Sequence, residues 1–96
     1  MTLSGKQNRY LRAMGHHLKP VVFIGKEGLT KVVLDKVMIE LSFHELIKVK
    51  LGKGELSRND AVQLLADQTG ASVVQLLGKT ILLYAPRSSD PIIQLP

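Results

Sequence analysis

Cysteine and tryptophan are both missing from this 96-residue chain. Without cysteine there is no disulfide framework and no thiolate zinc site, so apolar burial must supply the stability unaided. Aromatic residues are scarce: Tyr10, Phe23, Phe43 and Tyr84 amount to 4% of the chain. All four are expected in the core, Tyr84 with a wet hydroxyl and a ring that offers an alternative stacking surface. Long hydrophobic runs are missing too. The longest stretch free of charge, Gln68 to Gly78, is 11 residues, well short of the ~20 that a membrane helix requires. Lys6, Arg9 and Arg12 stand where a signal peptide would need an apolar core. These absences predict a soluble protein of a reducing cytoplasm, with no membrane partner.

Signatures of catalysis are absent as well. No Walker, dinucleotide-binding or nucleophile-elbow pattern occurs. The only histidine clusters are His16-His17 and His44-Glu45, and neighbours on a helix point about 100° apart, so neither pair chelates a metal neatly. The expectation is a protein that is not an enzyme and carries no metal and no cofactor. His17 and His44 read as structural hydrogen bonders; His16 adds charge when protonated.

What is present is positive charge, unevenly placed. Thirteen Lys and Arg against eight Asp and Glu give a net +5. Residues 1–31 hold Lys6, Arg9, Arg12, Lys19, Lys26 and Lys31 against Glu27 alone, whereas residues 32–96 hold seven of each sign. The excess therefore lies in the first third, where it would attract a polyanion, nucleic acid being the commonest.

Apolar periodicity changes its beat in a regular order, and the chain reads as one domain over 1–96 with an extended tail from 85 to 96. Ser4-x-x-Gln7 opens a first helix to about Gly15, with Leu3, Tyr10, Leu11, Met14 and Leu18 on one side and Lys6, Arg9, Arg12 and His16 on the other. Val21 to Ile24 is a β-branched and aromatic run expected to be a strand buried on both faces. Thr30 caps a second helix to about Phe43. Its main buried stripe is Val33, Leu34, Val37, Met38 and Leu41; a second stripe, Val32, Ile39 and Phe43, predicts a neighbour besides the sheet, either the first helix or the C-terminal tail. Leu46 to Leu51 alternates, with Lys48 and Lys50 on its polar side. Ser57 and Gly70 bracket a third helix, Arg58 to about Thr69, whose outer side carries Asp60, Gln63 and Asp67. Ser72–Leu77 and Thr80–Tyr84 form a hairpin about Gly78-Lys79. In the tail, Ile92, Ile93 and Leu95 are expected to dock.

The order α-β-α-β-α-β-β predicts a two-layer α/β fold with a four-stranded mixed sheet. Both crossover helices lie on one face; the other is open or partly covered by the first helix. Gly25-Lys26-Glu27-Gly28 falls between a strand and a helix start, where two glycines admit close approach and the helix offers unpaired N–H groups to phosphate. RNA-binding KH modules clamp backbone nucleotides with such a turn, although the spacing also suits an ordinary strand-to-helix connection. Lys19, Lys26 and Lys31 bracket the loop in sequence, and Lys48 and Lys50 would extend a basic surface over the open sheet face or stand as plain solvated lysines.

Three collinear runs carry a resemblance: Leu18-Lys19-Pro20-Val21-Val22, Ile24-Gly25-Lys26-Glu27-Gly28-Leu29-Thr30, and His44-Glu45-Leu46-Ile47-Lys48-Val49-Lys50. With Thr69-Gly70-Ala71, Val74-Gln75 and Gly78-Lys79-Thr80-Ile81-Leu82-Leu83-Tyr84, they make the chain similar to the CRM domain (chloroplast RNA splicing and ribosome maturation), in its stand-alone bacterial YhbY-type form. The resemblance spans residues 3 to 96. It implies a fold similar to the C-terminal domain of translation initiation factor 3, an RNA-contacting loop at Gly25–Gly28, and association with ribosomal RNA in precursors of the large ribosomal subunit. The combined expectation is a monomeric RNA-binding module of ribosome assembly, bound to the pre-ribosomal particle. Its rival is a protein-interaction module on the ribosome whose charge serves only solubility.

Overall fold

The computed structural model describes residues 2–96, so Met1 of the expected 1–96 domain lies outside the described residues. The elements run α1 (Gly5–Gly15), β1 (Pro20–Ile24), α2 (Lys31–His44), β2 (Leu46–Leu51), α3 (Arg58–Thr69), β3 (Ser72–Leu77) and β4 (Thr80–Tyr84), in the order that the periodicity predicts. The helix starts follow from the capping residues. Ser4 and Gln7 form a reciprocal capping box, while Thr30 and Ser57 each accept a backbone N–H from the first turn of their helix. Gly70 closes α3 at φ +73°, a conformation that costs a β-carbon but not a glycine.

One mixed sheet forms in the order β1-β2-β4-β3. β1 and β2 pair parallel; β4 pairs antiparallel with β2 and with β3. Both edge strands carry a register shift, between Pro20 and Val22 in β1 and between Val73 and Gln75 in β3. α2 and α3 cover one face over the main core, which includes Val22, Ile24, Ile47, Val49, Ile81, Leu83, Val37, Leu41 and Leu65. Each fully buried Leu or Ile there contributes on the order of 1.5–3 kcal/mol.

The first helix covers part of the opposite face, the second of the two arrangements allowed. Leu11 packs there with Leu46, Val74, Leu82 and Tyr84, joined by Leu3 and by Ile93 and Leu95 of the tail. Gly15 lies so close to the sheet that a β-carbon would sit 2.7 Å from Leu82 Cδ2. α1 stops over Leu82, and the outer face of β1 is left bare.

Several expected burials therefore fail. Phe23 is 65% exposed, because β1 is an edge strand and α1 does not reach its second face; it is not buried on both. Val32, Ile39 and Phe43 are exposed, and so is Met38: the second neighbour of α2 is α3, beside it on the sheet, and neither the sheet nor α3 covers that stripe. Tyr10, Met14 and Leu18 are exposed because only Leu11 and Gly15 of α1 reach the sheet floor. Tyr84 is in the core as expected, and Ile92 alone of the tail's three docking residues stays outside.

Candidate nucleic-acid interface

The expected glycine loop is a tight turn at the C-terminal end of β1. Gly28 N–H donates to the Gly25 carbonyl at 3.0 Å, and Gly28 has φ +75°. Lys26 and Glu27 occupy the two central positions, both exposed. Nothing lies within 4 Å of a β-carbon built on Gly25 or on Gly28, so the turn faces open space and its backbone is accessible. The capped start of α2 follows at once, with Thr30 Oγ1 holding Val33 N–H at 3.3 Å.

A second glycine loop lies against the first. Gly52 N–H donates to the Ile24 carbonyl at 2.8 Å, and a β-carbon on Gly54 would be 3.5 Å from Lys26 Cα. Lys26, Lys53, Gly54 and Glu55 line the shallow groove between the two turns. The β3–β4 turn meets the same end of the sheet, since Leu51 N–H donates to the Lys79 carbonyl at 2.8 Å. Lys26, Lys53 and Lys79, all exposed, thus project from three neighbouring turns. Lys53 and Lys79 were not singled out by the sequence. The signal was available in Gly52-Lys53-Gly54, a glycine-flanked lysine, but their proximity to Lys26 depends on strand order.

The other expected cations near this end lie in three places. Lys50 is exposed on the bare sheet face, directly opposite Phe23 in register. Lys48, on the same side, reaches back so that its Nζ donates to the His16 carbonyl at 3.5 Å, and Arg12, His16 and Lys48 line a groove between the end of α1 and the sheet. Lys31 flanks the loop at the first position of α2, where its ammonium pairs with Asp35 at 3.0 Å.

Two predicted residues are distant from this end. Lys19 precedes β1, and the strand's five residues separate it from the loop by about 16 Å; it borders instead an apolar hollow with Met14, Val21, His44 and Ile93. Lys6 lies on the first turn of α1, some 15 Å along the helix from His16, towards the start of β3. Arg9 is between. Of the cations on α1, Arg12 lines the groove over the sheet, and Lys19 stands apart from it.

Among the described residues, the buried charge is Glu45, fully enclosed at the α2–β2 junction with φ +63°. Its carboxylate accepts three backbone N–H groups of the tail: Arg87 at 2.6 Å, Ile92 at 2.8 Å and Ile93 at 2.7 Å. Burial opposes ionisation, but those donors and the Arg87 charge outweigh it and hold the carboxyl below its ordinary range. Glu45 anchors the tail and lies at the end of the sheet away from the glycine turns.

A basic α/β module with an exposed glycine turn is the class that fold and surface define. The chain belongs to the CRS1/YhbY (CRM) domain family, whose model matches residues 3–85. It is 42% identical over 96 residues to an "RNA-binding protein" of Haemophilus influenzae, covering 99% of this chain and 96% of that one. It is 37% identical over 95 residues to a Bacillus subtilis protein named "Probable RNA-binding protein YqeI", covering 98% and 99%. Among solved structures, SAV1595 of Staphylococcus aureus, determined in solution, superposes with a TM-score of 0.76 at 31% identity over 99% of this chain and all of that one. Among the described residues, no helix is long and apolar enough to cross a membrane.

Proposed function

We propose that this chain is a monomeric, cytoplasmic RNA-binding protein that acts without catalysis or cofactor on ribosomal RNA in precursors of the large ribosomal subunit, and so assists ribosome assembly. The observation that carries the RNA reading is the pair of abutting glycine turns, with exposed Lys26 and Lys53 and with open space at Gly25 and Gly28. A phosphate group can approach such a backbone closely, and the start of α2 presents partial positive charge to it. Lys50, Arg12, Arg9 and Lys6 extend the attraction along the strand, Lys31 flanks the turn, and Lys48 and Lys19 serve at its margins. The naming of the relatives supports RNA as the ligand; the ribosomal target comes from the CRM resemblance.

A rival reading is a protein-interaction module on the ribosome, favoured by the exposed stripe Val32, Ile39 and Phe43 on α2. Lys26→Asp separates the two. RNA affinity measured by filter binding should fall at least tenfold while the melting temperature is unchanged, because Lys26 is exposed and makes no internal contact that stability requires. Undiminished RNA binding together with loss of a ribosomal-protein contact would install the rival. Crosslinking in cells followed by sequencing of the attached RNA tests the ribosomal target.

A further inference from the structure

On the sheet face that α1 leaves bare, strand register sets one row across all four strands: Leu77, Thr80, Lys50 and Phe23. Phe23 is 65% exposed and Leu77 68%. Phe43 on α2 is as open, but Phe23 stands at the end of a strand with a lysine directly beside it in register, which sets an aromatic face and a cation side by side. The neighbouring row is Gln75, Leu82, Lys48 and Pro20, with Leu82 roofed by Gly15. Neither row holds a carboxylate. Arg12 and His16 wall the groove on the helix side, and Gly25, two residues beyond Phe23, begins the glycine turn on the other.

We infer that this bare row is a platform for an unpaired RNA base, which stacks on the Phe23 ring while its flanking phosphates lie against Lys50 and the turn lysines. The inference rests on the reading of the chain as an RNA binder and deepens it, since it fixes the form of RNA as single-stranded at this point. Charge complementarity selects the occupant. An apolar protein segment, or the same carboxylate-free face of a second copy, would cover Phe23 and bury Lys50 without an anion, a costly arrangement. A nucleotide supplies the π-face and the anion together. The row is also continuous with the turn: Phe23 and Gly25 are separated by about 7 Å of strand, so one chain of phosphates can run from one to the other.

The experiment compares a labelled oligoadenylate of about ten nucleotides, within the usual range of site sizes, with a blunt RNA duplex of equal length, by fluorescence anisotropy. Phe23→Ala is expected to weaken the single strand by about 5- to 150-fold, the equivalent of ~1–3 kcal/mol for one stacked base, and to leave duplex binding unchanged. Phe23→Trp is expected to retain single-strand affinity, and its indole, in a chain with no other tryptophan, to be quenched when oligoadenylate is added. Lys26→Asp should weaken both ligands. If Phe23→Ala changes neither ligand, or both equally, while Lys26→Asp still reduces both, the platform is overturned and the RNA reading stands. If the wild-type chain binds neither RNA, both fall. A sedimentation shift from dimer to monomer in Phe23→Ala would make a second copy the occupant and equally overturn the platform.

Discussion

At Gly28 a φ of +75° strains any side chain, so a β-carbon there alters the turn itself. Gly25 differs: its φ is not positive, and a β-carbon meets nothing within 4 Å. No internal contact demands glycine at this position, so a β-carbon there would matter only to the proposed close approach of an RNA backbone. Gly25→Ala should accordingly leave folding stability unchanged or raise it by about 0.4–1 kcal/mol through the unfolded chain, yet lower RNA affinity. Urea melts read beside binding isotherms check both halves; an alanine variant with full affinity would remove Gly25 from the contact. The sequence makes the turn visible because glycine spacing is local. It hides which glycine serves the chain and which the ligand, because that depends on the surrounding space.

Among the elements, the tail from residue 85 onward depends on one side chain at the α2–β2 junction. The Glu45 carboxylate takes three tail N–H groups, and Ala85 N–H donates to the Glu45 carbonyl at 2.9 Å. Together they bring Ile93 and Leu95 onto Leu11 and Tyr84. Burial, and secondarily the Glu45 charge, pushes the Tyr84 phenol up. Glu45→Gln removes the charge and turns amide donors towards backbone donors, so it should cost about 1.5–3 kcal/mol and speed amide exchange at Ile92 and Ile93. The sign with pH follows from the lowered carboxyl. Its stabilisation is complete above the ordinary value of 4.5 and is lost as pH falls through the lower folded value. Acid denaturation followed by circular dichroism should show that loss in the wild type and not in Glu45→Gln. No sequence signal marks this role, for the partners of Glu45 are backbone groups more than forty residues away.

Across the whole molecule, Lys26, Lys53 and Lys79 meet at the three strand-end turns, and Arg12 lines the groove between α1 and the sheet, whereas Lys19 lies away from that end. The acidic outer side of α3, where Gln63 bonds Asp67 at 2.9 Å, belongs to the helix layer. If four to six phosphates are neutralised, log K should fall against log salt with a slope of about −3 to −4; titration between low and physiological salt measures it, and a flat line would remove the electrostatic footing of the RNA reading. Element order, caps and the hairpin were legible in the sequence because each is written within a few residues: Ser4 with Gln7, Ser57 with Asp60, Gly78-Lys79. The outward faces were not. Phe23, Val32, Ile39 and Phe43 carry core-like chemistry, and only the docking of α1 and α2 decides that they stay exposed. Lys53 and Lys79 likewise join Lys26 only once β2 lies between β1 and β4.

The register shifts in β1 and β3 fall on the two margins of the sheet. A margin with regular spacing is a template on which another chain's strand can be added, and fibrous association starts there. Here one rim begins with Pro20, which has no N–H to offer, and both rims are kinked where an incoming strand would need an even ladder. A chain that is 45% hydrophobic is thereby guarded against cross-β growth by backbone irregularity at its borders.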